Sequence, residues 1–289
     1  MNSTIKNLKA RKQPNFFERF QVTSLLMQSA NGTLYNGVEV NLETGEKVRD
    51  VVVKFFPKSS VRTYAGVRGV RCPAEIYFHL KAYTLARPFI VEPLEWIERT
   101  DDFAIAMEKP QGSMDLFDFC NKYGVQSEKN ARIIWTQIVI ACYNMHLGGV
   151  MHSDIKDENV LINPTTLQIK IIDFGCAKKM QDRYEKPSGT AAYWPPEFKS
   201  HGSFKPGPVT VWSLGSILYL LLAGEWKYSE ESGFIRNFLK EQRLTDEAQQ
   251  LINRVLCIHE YSRISLQEVI QSAWVQHVPK SPKKRNSSL

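Results

Sequence analysis

The pattern of hydrophobic and polar positions along the chain changes near Pro110. Before that residue, apolar segments rich in β-branched and aromatic side chains alternate with turn signals, which is typical of strands. The predicted strands are residues 22–26, 33–40, 51–56 and 103–107. One helix is predicted among them at residues 74–84, because Ile76, Leu80 and Tyr83 fall on one helical face.

Beyond Pro110 the apolar positions recur at helical spacing. A long helix is predicted from residue 127 to residue 146, since Ser127 suits an N-cap and Ile134, Ile138 and Cys142 follow at intervals of four. Further helices are predicted at residues 211–223, 246–257 and 265–272. The pattern indicates an α+β fold: a β-rich N-terminal lobe at about residues 20–107, a hinge at 108–110 and an α-rich C-terminal lobe at 111–277.

The formal net charge of +7 over 289 residues lies at the two ends of the chain. Four basic residues lie in the first twelve positions and four in the last twelve, so the remainder has a net charge of −1. Residues 1–19 and 278–289 are therefore predicted to be basic tails, and no specific nucleic acid binding is expected. The C-terminal tail has two interpretations, a solvated disordered end or a nuclear localisation signal.

The five cysteines are odd in number and widely spaced, without a C-x-x-C pair. This pattern indicates reduced thiols in a protein of the cytoplasm or nucleus, and no structural zinc. The polar, basic N-terminus lacks the apolar core of a signal peptide. The most apolar stretch, residues 214–223, is too short to span a bilayer, so it predicts a buried helix and no membrane association.

Two short segments carry most of the chemical information. Residues 152–159 read His-Ser-Asp-Ile-Lys-Asp-Glu-Asn, and Asp-Phe-Gly follows at residues 173–175. Between them, two apolar β-branched runs flank an Asn-Pro-Thr-Thr break, which predicts a hairpin folded about residue 166. That hairpin brings the Asn159 amide and the Asp173 carboxylate together as oxygen ligands suited to Mg²⁺, with Asp154 in the loop leading in. Phosphoryl transfer needs such a metal site and a positioned nucleophile.

With these motifs the chain resembles the eukaryotic protein kinases over about residues 20–277, and within them it is similar to the PIM group of serine/threonine kinases. Residues 152–159 resemble the catalytic loop, residues 173–175 the metal-binding triplet, and Trp-Pro-Pro-Glu at 194–197 the segment that usually reads Ala-Pro-Glu. Asp-Leu-Phe-Asp-Phe at 115–119 and Val-Trp-Ser-Leu-Gly at 211–215 resemble the PIM group in particular. The resemblance implies a bilobal kinase fold that transfers the γ-phosphate of Mg-ATP to Ser or Thr.

The resemblance also implies roles for single residues. Asp154 would orient the substrate hydroxyl and accept its proton, Lys156 would lie beside the transferring phosphate, and Asn159 and Asp173 would hold Mg²⁺. The residues implied for ATP binding are Leu26, Gly32, Leu34, Lys54, Glu75, Met107, Glu108, Asp115, Glu158 and Leu161. The hinge is expected to give adenine a single hydrogen bond, to the Glu108 carbonyl, because Pro110 has no N–H.

Two ion pairs are expected. Lys54 stands in an apolar run and is costly to bury unless it is paired, so Glu75 is its candidate partner. The alternative is a surface lysine and a first-turn glutamate that the helix dipole favours. Glu197 and Arg263 match a buried pair that ties the activation segment to the C-terminal lobe in the resembled family.

The chain departs from the kinase pattern at several positions. Met27 and Ser29 replace two glycines of the G-x-G-x-x-G loop, of which Gly32 is kept, so a raised KM for ATP is expected rather than no binding. Ser153 replaces an arginine that commonly grips a phosphorylated activation loop, and Thr210 replaces an aspartate that braces the catalytic loop. We therefore expect the loop at 176–196 to be ordered without phosphorylation, and regulation by abundance or partners.

Two functions remain open from the sequence. The retained motif residues favour an active serine/threonine protein kinase, whereas the altered positions favour a pseudokinase that acts as a nucleotide-binding or scaffolding module. A small-molecule phosphotransferase shares the catalytic loop, but the segments at 195–197 and 212–215 favour a platform for peptides. A preference for Arg/Lys-rich protein substrates is expected from four cleft carboxylates, with basic residues of the activation segment softening it, and the chain is expected to be a monomer. These residues are Asp115, Asp118, Asp157 and Glu158, and Arg183 and Lys186.

Overall fold

The computed structural model describes residues 15–29, 32–67, 69–200, 202–226 and 243–277. The N-terminal lobe contains β1 (Phe20–Ser29), β2 (Gly32–Val40), β3 (Lys47–Pro57), β4 (Tyr64–Val67), β5 (Val70–Pro73), β6 (Pro93–Glu98) and β7 (Asp102–Glu108). Five of these strands form an antiparallel sheet in the order β1-β2-β3-β7-β6, while β4 and β5 form a separate hairpin. The short strands β8 (Met114–Asp115), β9 (Val150–Met151), β10 (Val160–Ile162), β11 (Ile169–Ile171) and β12 (Lys178–Lys179) line the junction with the second lobe.

Most of the helices lie in the C-terminal lobe. They are α1 (Phe16–Arg19), α2 (Ala74–Ala86), α3 (Leu116–Tyr123), α4 (Glu128–Leu147), α5 (Glu197–Ser200), α6 (Pro206–Ala223), α7 (Asp246–Val255), α8 (Leu266–Gln271) and α9 (Ala273–Gln276). The predicted α+β, bilobal architecture is confirmed: the sheet carries α1 and α2, and the remaining helices build the second lobe.

The two faces of the five-stranded sheet pack against different helices. On one face, β-branched and small residues of β3 and β7 pack with Phe16 and Phe20. On the other face, Ile105 packs with Ile76 of α2. Lys54 is the cross-strand partner of Ile105, so its side chain projects from the α2 face.

The helix α1 belongs to the packed lobe, although residues 1–19 are predicted to be a tail. Phe16 is fully buried, and Arg19 forms ion pairs with Glu39 of β2 and Glu95 of β6. The packed region therefore begins at least four residues before the predicted boundary at residue 20. Residues 1–14 and 278–289 lie outside the described residues.

The core of the C-terminal lobe forms around α4 and α6. The indole N–H of Trp135 in α4 donates to the Leu214 carbonyl of α6 at 2.7 Å. A Cβ at Gly215 would come within 2.7 Å of the Leu256 side chain, so this glycine permits close packing of α6 on the end of α7. By length and composition alone α6 could cross a membrane, but 83% of it is buried inside the domain.

Candidate active site

A short antiparallel hairpin joins the two predicted motifs. β10 pairs with β11, with Val160 opposite Ile171. The N–H of Ile172 donates to the Asn159 carbonyl at 3.0 Å. A fold about residue 166 predicts that Asn159 lies opposite Asp173, whereas it lies opposite Ile172, one residue earlier. Asp173 follows directly, and the hairpin therefore brings the predicted metal ligands to one end.

Both carboxylate oxygens of Asp154 are held by hydrogen bonds. Oδ1 accepts from the Thr190 N–H at 2.9 Å, and Oδ2 accepts from the side-chain amide of Asn159 at 3.1 Å. The same amide donates to the Asp154 carbonyl at 2.8 Å. The contact with Thr190 depends on Gly189, whose φ is +82° and where a Cβ would come within 2.4 Å of the Ser153 carbonyl oxygen. The activation segment therefore orients Asp154 through its backbone.

Asn159 and Asp173 fit a divalent cation. Since the amide nitrogen of Asn159 donates to Asp154, the amide oxygen of Asn159 is available as a metal ligand. Burial raises the pKa of Asp173, but the ammonium of Lys54 at 3.5 Å and the Gly175 N–H outweigh this and lower it, so the carboxylate is ionised at neutral pH. An amide oxygen and a carboxylate are hard ligands of the kind that Mg²⁺ combines with water and substrate phosphates.

Lys54 and Glu75 lie together in the interior. The Lys54 ammonium is 2.6 Å from Glu75 Oε1, and its side chain is 7% exposed, which excludes the alternative of a surface lysine. Burial lowers the pKa of Lys54, but Glu75 and Asp173 outweigh it and raise the pKa, so the ammonium keeps its charge. A buried, paired cation stands next to the candidate metal ligand, where phosphate groups would require one.

Phe174 is held between two buried histidines. Its ring lies 4.9 Å from the His79 ring in a stacked arrangement and 4.9 Å from the His152 ring edge-on. The imidazole Nε2 of His79 lies 2.8 Å from the Val91 carbonyl, and burial lowers the pKa of His79 to about 4, so this imidazole is neutral. The packing fixes the Asp-Phe-Gly segment against α2. His79 was not predicted as a site residue, although its place three residues after Ile76 puts it on the buried face of α2.

Two of the side chains predicted for ATP binding, Leu34 and Met107, share one face of the sheet with Lys54. Leu34 is opposite Lys54, and Met107 is opposite Val52, two residues away on the same strand as Lys54. These side chains therefore line the α2 face next to the ammonium. Leu26 lies at a bulge of β1 and is half-exposed.

The predicted glycine-poor loop lies between β1 and β2, and its residues 30 and 31 are outside the described residues. Met27 pairs with Leu34, and the Ser29 hydroxyl donates to the Gly32 carbonyl at 3.0 Å. Gly32 has φ +134°, and a Cβ there would come within 2.4 Å of the Phe55 carbonyl oxygen. The glycine that is kept is therefore the one that the strand pairing itself requires.

The hinge residue Glu108 is fixed by its side chain. Its Oε1 accepts from the Lys170 ammonium at 2.5 Å and from the Glu92 N–H at 2.8 Å. Asp115 is opposite Leu161 in the pairing of β8 with β10, so these two predicted ATP-site residues are neighbours. Asp115 Oδ1 also accepts from the Asp118 N–H at 2.7 Å and caps α3.

The two carboxylates that follow Asp154 in the catalytic loop, Asp157 and Glu158, differ in exposure and in partner. Asp157 is buried and accepts from the Tyr193 hydroxyl at 2.6 Å, so the prediction that it lines the substrate cleft is wrong. Glu158 exposes 56% of its side chain and forms an ion pair with Lys156. Burial lowers the pKa of Lys156, but Glu158 and Asp154 outweigh it and raise the pKa. Lys156 therefore remains a cation beside Asp154.

Among the described residues, Ser153 and Thr210, the two positions that depart from the kinase pattern near the catalytic loop, share no hydrogen bond. The Ser153 hydroxyl is buried and has no hydrogen-bond partner within the part of the chain that the structure describes. The Thr210 hydroxyl lies 3.0 Å from Nε2 of His146 in α4. The expected pair of Glu197 and Arg263 does form, with two contacts of 2.7 and 2.8 Å.

Comparison with known proteins gives one family over most of the chain. Residues 30–275 match the family described as protein kinase domain. The serine/threonine-protein kinase pim-2 of Danio rerio is 30% identical over 281 residues, which cover 93% of this chain and 88% of that protein. The serine/threonine-protein kinase prk-2 of Caenorhabditis elegans is 32% identical over 232 residues, which cover 78% of this chain and 52% of that protein. Serine/threonine-protein kinase 1 of African swine fever virus (strain Badajoz 1971 Vero-adapted) is 25% identical over 271 residues, covering 91% and 85%.

Proposed function

This chain belongs to the protein kinase family and is a serine/threonine kinase similar to the PIM kinases, and from that premise we propose that it transfers the γ-phosphate of ATP to basic protein substrates without prior phosphorylation of its activation segment. The observation that carries the proposal is that Asp154, Asn159 and Asp173 lie at one end of the hairpin. The Asn159 amide nitrogen donates to Asp154, so its amide oxygen is available as a candidate Mg²⁺ ligand.

In the proposed reaction Asp154 orients the substrate hydroxyl and receives its proton. Lys54 binds the α- and β-phosphates, and Lys156 lies beside the phosphoryl group in transfer. Asn159 and Asp173 would hold Mg²⁺, which when bound neutralises the charge of the phosphates. The Thr190 N–H keeps Asp154 in one orientation, so the base does not need to be ordered when substrate binds.

A pseudokinase remains the second candidate, favoured by the loop at Met27 and Ser29. Side chains at these positions keep backbone N–H groups further from phosphate than glycines would. The formed pair of Lys54 and Glu75 favours nucleotide binding over pure scaffolding, because it places a charge-paired lysine at the phosphate site. The hydrogen bonds that orient Asp154 favour catalysis, because nucleotide binding alone does not need a positioned base. An active kinase with a raised KM for ATP is consistent with both the glycine-poor loop and the formed ion pair.

We infer the basic substrate preference from exposed carboxylates near the cleft. Asp118 is exposed at the start of α3, and Glu158 is largely exposed beside Lys156. The softening expected from Arg183 is smaller than the sequence suggests, because Arg183 contacts Ser203 and Glu260. A location in the cytoplasm, with the nucleus as the alternative, is also proposed; its support is the set of five cysteines, none of which is in a disulfide. The chain is proposed to act as a monomer.

A pair of matched peptides tests the substrate proposal. Each carries one serine acceptor, preceded by arginines in one peptide and by glutamates in the other. The phosphatase-treated chain is expected to phosphorylate the arginine peptide with the higher kcat/KM, and the double variant D118N/E158Q is expected to lose most of that difference. Glu247→Gln, at an exposed carboxylate of α7, is the matched control. Equal kcat/KM for both peptides would contradict the basic preference, and absence of turnover with Mg-ATP would favour the pseudokinase.

A further inference from the structure

Arg183 connects the middle of the activation segment to two other parts of the C-terminal lobe. Its Nε donates to the Ser203 hydroxyl at 3.0 Å, and its Nη2 donates to the Ser203 carbonyl at 2.9 Å. Both Nη1 and Nη2 lie 3.4 Å from Glu260 Oε1. One guanidinium therefore joins the segment to the stretch before α6 and to the loop after α7.

Glu260 is a buried carboxylate that depends on this cation. Its side chain is 2% exposed, and its second oxygen, Oε2, has no hydrogen-bond partner among the residues that the structure describes. A buried carboxylate is stable only when it is paired, because water no longer solvates the charge. The carboxylate therefore favours arrangements of the segment that keep Arg183 in place.

The residues that follow Arg183 and Ser203 pair directly with each other. Tyr184 and Phe204 exchange two backbone hydrogen bonds of 2.9 Å, and their rings stack at 5.4 Å. Both rings are buried with Met151. The polar contacts of Arg183 thus close one end of a small β-bridge that fixes the segment to the lobe.

The residue before Asp154, Ser153, indicates why the contact between Arg183 and Glu260 matters for function. In many protein kinases an arginine at this position grips a phosphate on the activation segment, but here Ser153 has a buried hydroxyl without a partner in the described residues. The charges at the Arg183 contact have the opposite arrangement: the cation is on the segment and the anion, Glu260, is in the lobe. No phosphate is needed to complete such a pair.

We propose that Arg183 is a positioning residue that holds the activation segment in its substrate-binding arrangement through Glu260 and Ser203. It replaces a phosphate-dependent contact with a permanent ion pair. The proposal rests on the kinase activity proposed above. The consequence for the site is that the segment carrying Gly189 and Thr190, whose backbone orients Asp154, is fixed by the sequence rather than by modification.

The test compares Arg183→Gln, Arg183→Lys and Glu260→Gln in the phosphatase-treated full chain. Lys186→Gln is the matched control, since Lys186 has the same charge, lies three residues away and is exposed. KM and kcat are measured for an arginine-rich peptide and for ATP. Amide hydrogen exchange is measured for peptides that contain Tyr184 and Phe204.

Arg183→Gln is expected to raise the KM for peptide about tenfold, to leave the KM for ATP within about twofold, and to speed exchange at Tyr184 and Phe204. Glu260→Gln is expected to have the same pattern, and Arg183→Lys to recover part of the loss because it restores the charge. Lys186→Gln is expected to match the unmodified chain in hydrogen exchange. Its KM for the arginine-rich peptide is expected to stay the same or to fall, because this change removes a cation from the activation segment.

Wild-type peptide KM and exchange rates in Arg183→Gln would overturn the proposal. So would a general loss of both substrates' binding in Arg183→Gln with no recovery in Arg183→Lys, because that pattern indicates a purely structural role. If the unmodified chain has no kinase activity, the proposed function fails instead, and the exchange difference between Arg183→Gln and Lys186→Gln still decides whether Arg183 holds the segment.

Discussion

Replacing Arg263 by glutamine tests the buried ion pair that anchors the activation segment. Arg263 Nη1 and Nη2 lie 2.7 and 2.8 Å from the two carboxylate oxygens of Glu197, and the side chains are 0% and 2% exposed. Arg263 also donates to the carbonyls of Cys257 at 2.9 Å and Pro208 at 2.8 Å. A third carbonyl, that of Ile258, accepts from Nη2 at 3.4 Å. The substitution therefore removes the bidentate partner of a buried carboxylate and three further hydrogen bonds.

The expected effect is large. Removing one partner of a buried pair costs about 3–5 kcal/mol of unfolding free energy, because the remaining charge has lost both water and its partner. Since about 1 kcal/mol shifts the Tm of a domain of this size by roughly 2–4 °C, Arg263→Gln is expected to lower the Tm by about 6–20 °C.

A matched control exists in the same lobe. Arg254 and Glu268 form an ion pair of 2.9 Å whose side chains are 53% and 52% exposed. Exposed pairs contribute about 0–1 kcal/mol, so Arg254→Gln is expected to lower the Tm by at most about 4 °C. Both variants are measured by differential scanning calorimetry at one pH and salt concentration. Equal shifts in the two variants would refute the reasoning, because burial would then have no effect on the contribution of the pair.

Three further predictions concern the site. Gly189→Ala is expected to lower kcat by at least about tenfold while ATP still stabilises the protein in a thermal-shift assay, because φ is +82° and the new Cβ would clash with the Ser153 carbonyl oxygen; an unchanged kcat would contradict this. Burial lowers the pKa of His79 to about 4, whereas the imidazole of the unfolded chain has a pKa of about 6.5. Between pH 6.5 and pH 4 the unfolded chain therefore binds more protons, and the unfolding free energy decreases as the pH is lowered through this range. His79→Leu is expected to reduce the fall in Tm between pH 7 and pH 5, and an equal slope would argue against a buried neutral imidazole. The double variant M27G/S29G is expected to lower the KM for ATP about threefold or more, since its backbone can approach phosphate more closely, and a KM that stays the same or rises would count against a clamp weakened by side chains.

The sequence predicted most of the fold where local signals are strong. Ser127 accepts from the Asn130 N–H at 3.2 Å and starts α4, and Ser265 starts α8 with a complete capping box. By contrast, α6 begins at Pro206, five residues before its predicted start at 211. Proline and glycine at residues 206–208 are typical of a loop, yet a helix tolerates proline in its first turn, where N–H groups lack intrahelical partners.

Elements without a clear period were not predicted. β6 is interrupted by a bulge between Pro93 and Glu95, which breaks the alternation expected of a strand. The helix α3 contains only eight residues, too few for a helical period to stand out. The short hairpin of β4 and β5 was also missed.

Within the candidate site, motif residues could be placed from spacing, but contacts between distant segments could not. The hairpin at residues 160–171 is local, so the approach of Asn159 to Asp173 follows from it. The contact between Arg183 and Glu260 joins residues 77 positions apart, and no local pattern encodes it. Asp157 was misassigned for the same reason, since its partner Tyr193 lies 36 positions away.

The most direct test of the account is transfer of the terminal phosphate of radiolabelled ATP to an arginine-rich serine peptide, compared between the unmodified chain and Asp154→Asn. The two proteins are purified in parallel, and Mg-ATP binding to each is measured separately. The account predicts incorporation that falls by about a hundredfold or more in Asp154→Asn while nucleotide binding is retained. Equal incorporation by both proteins would contradict it, because the label would then be transferred without the carboxylate at residue 154.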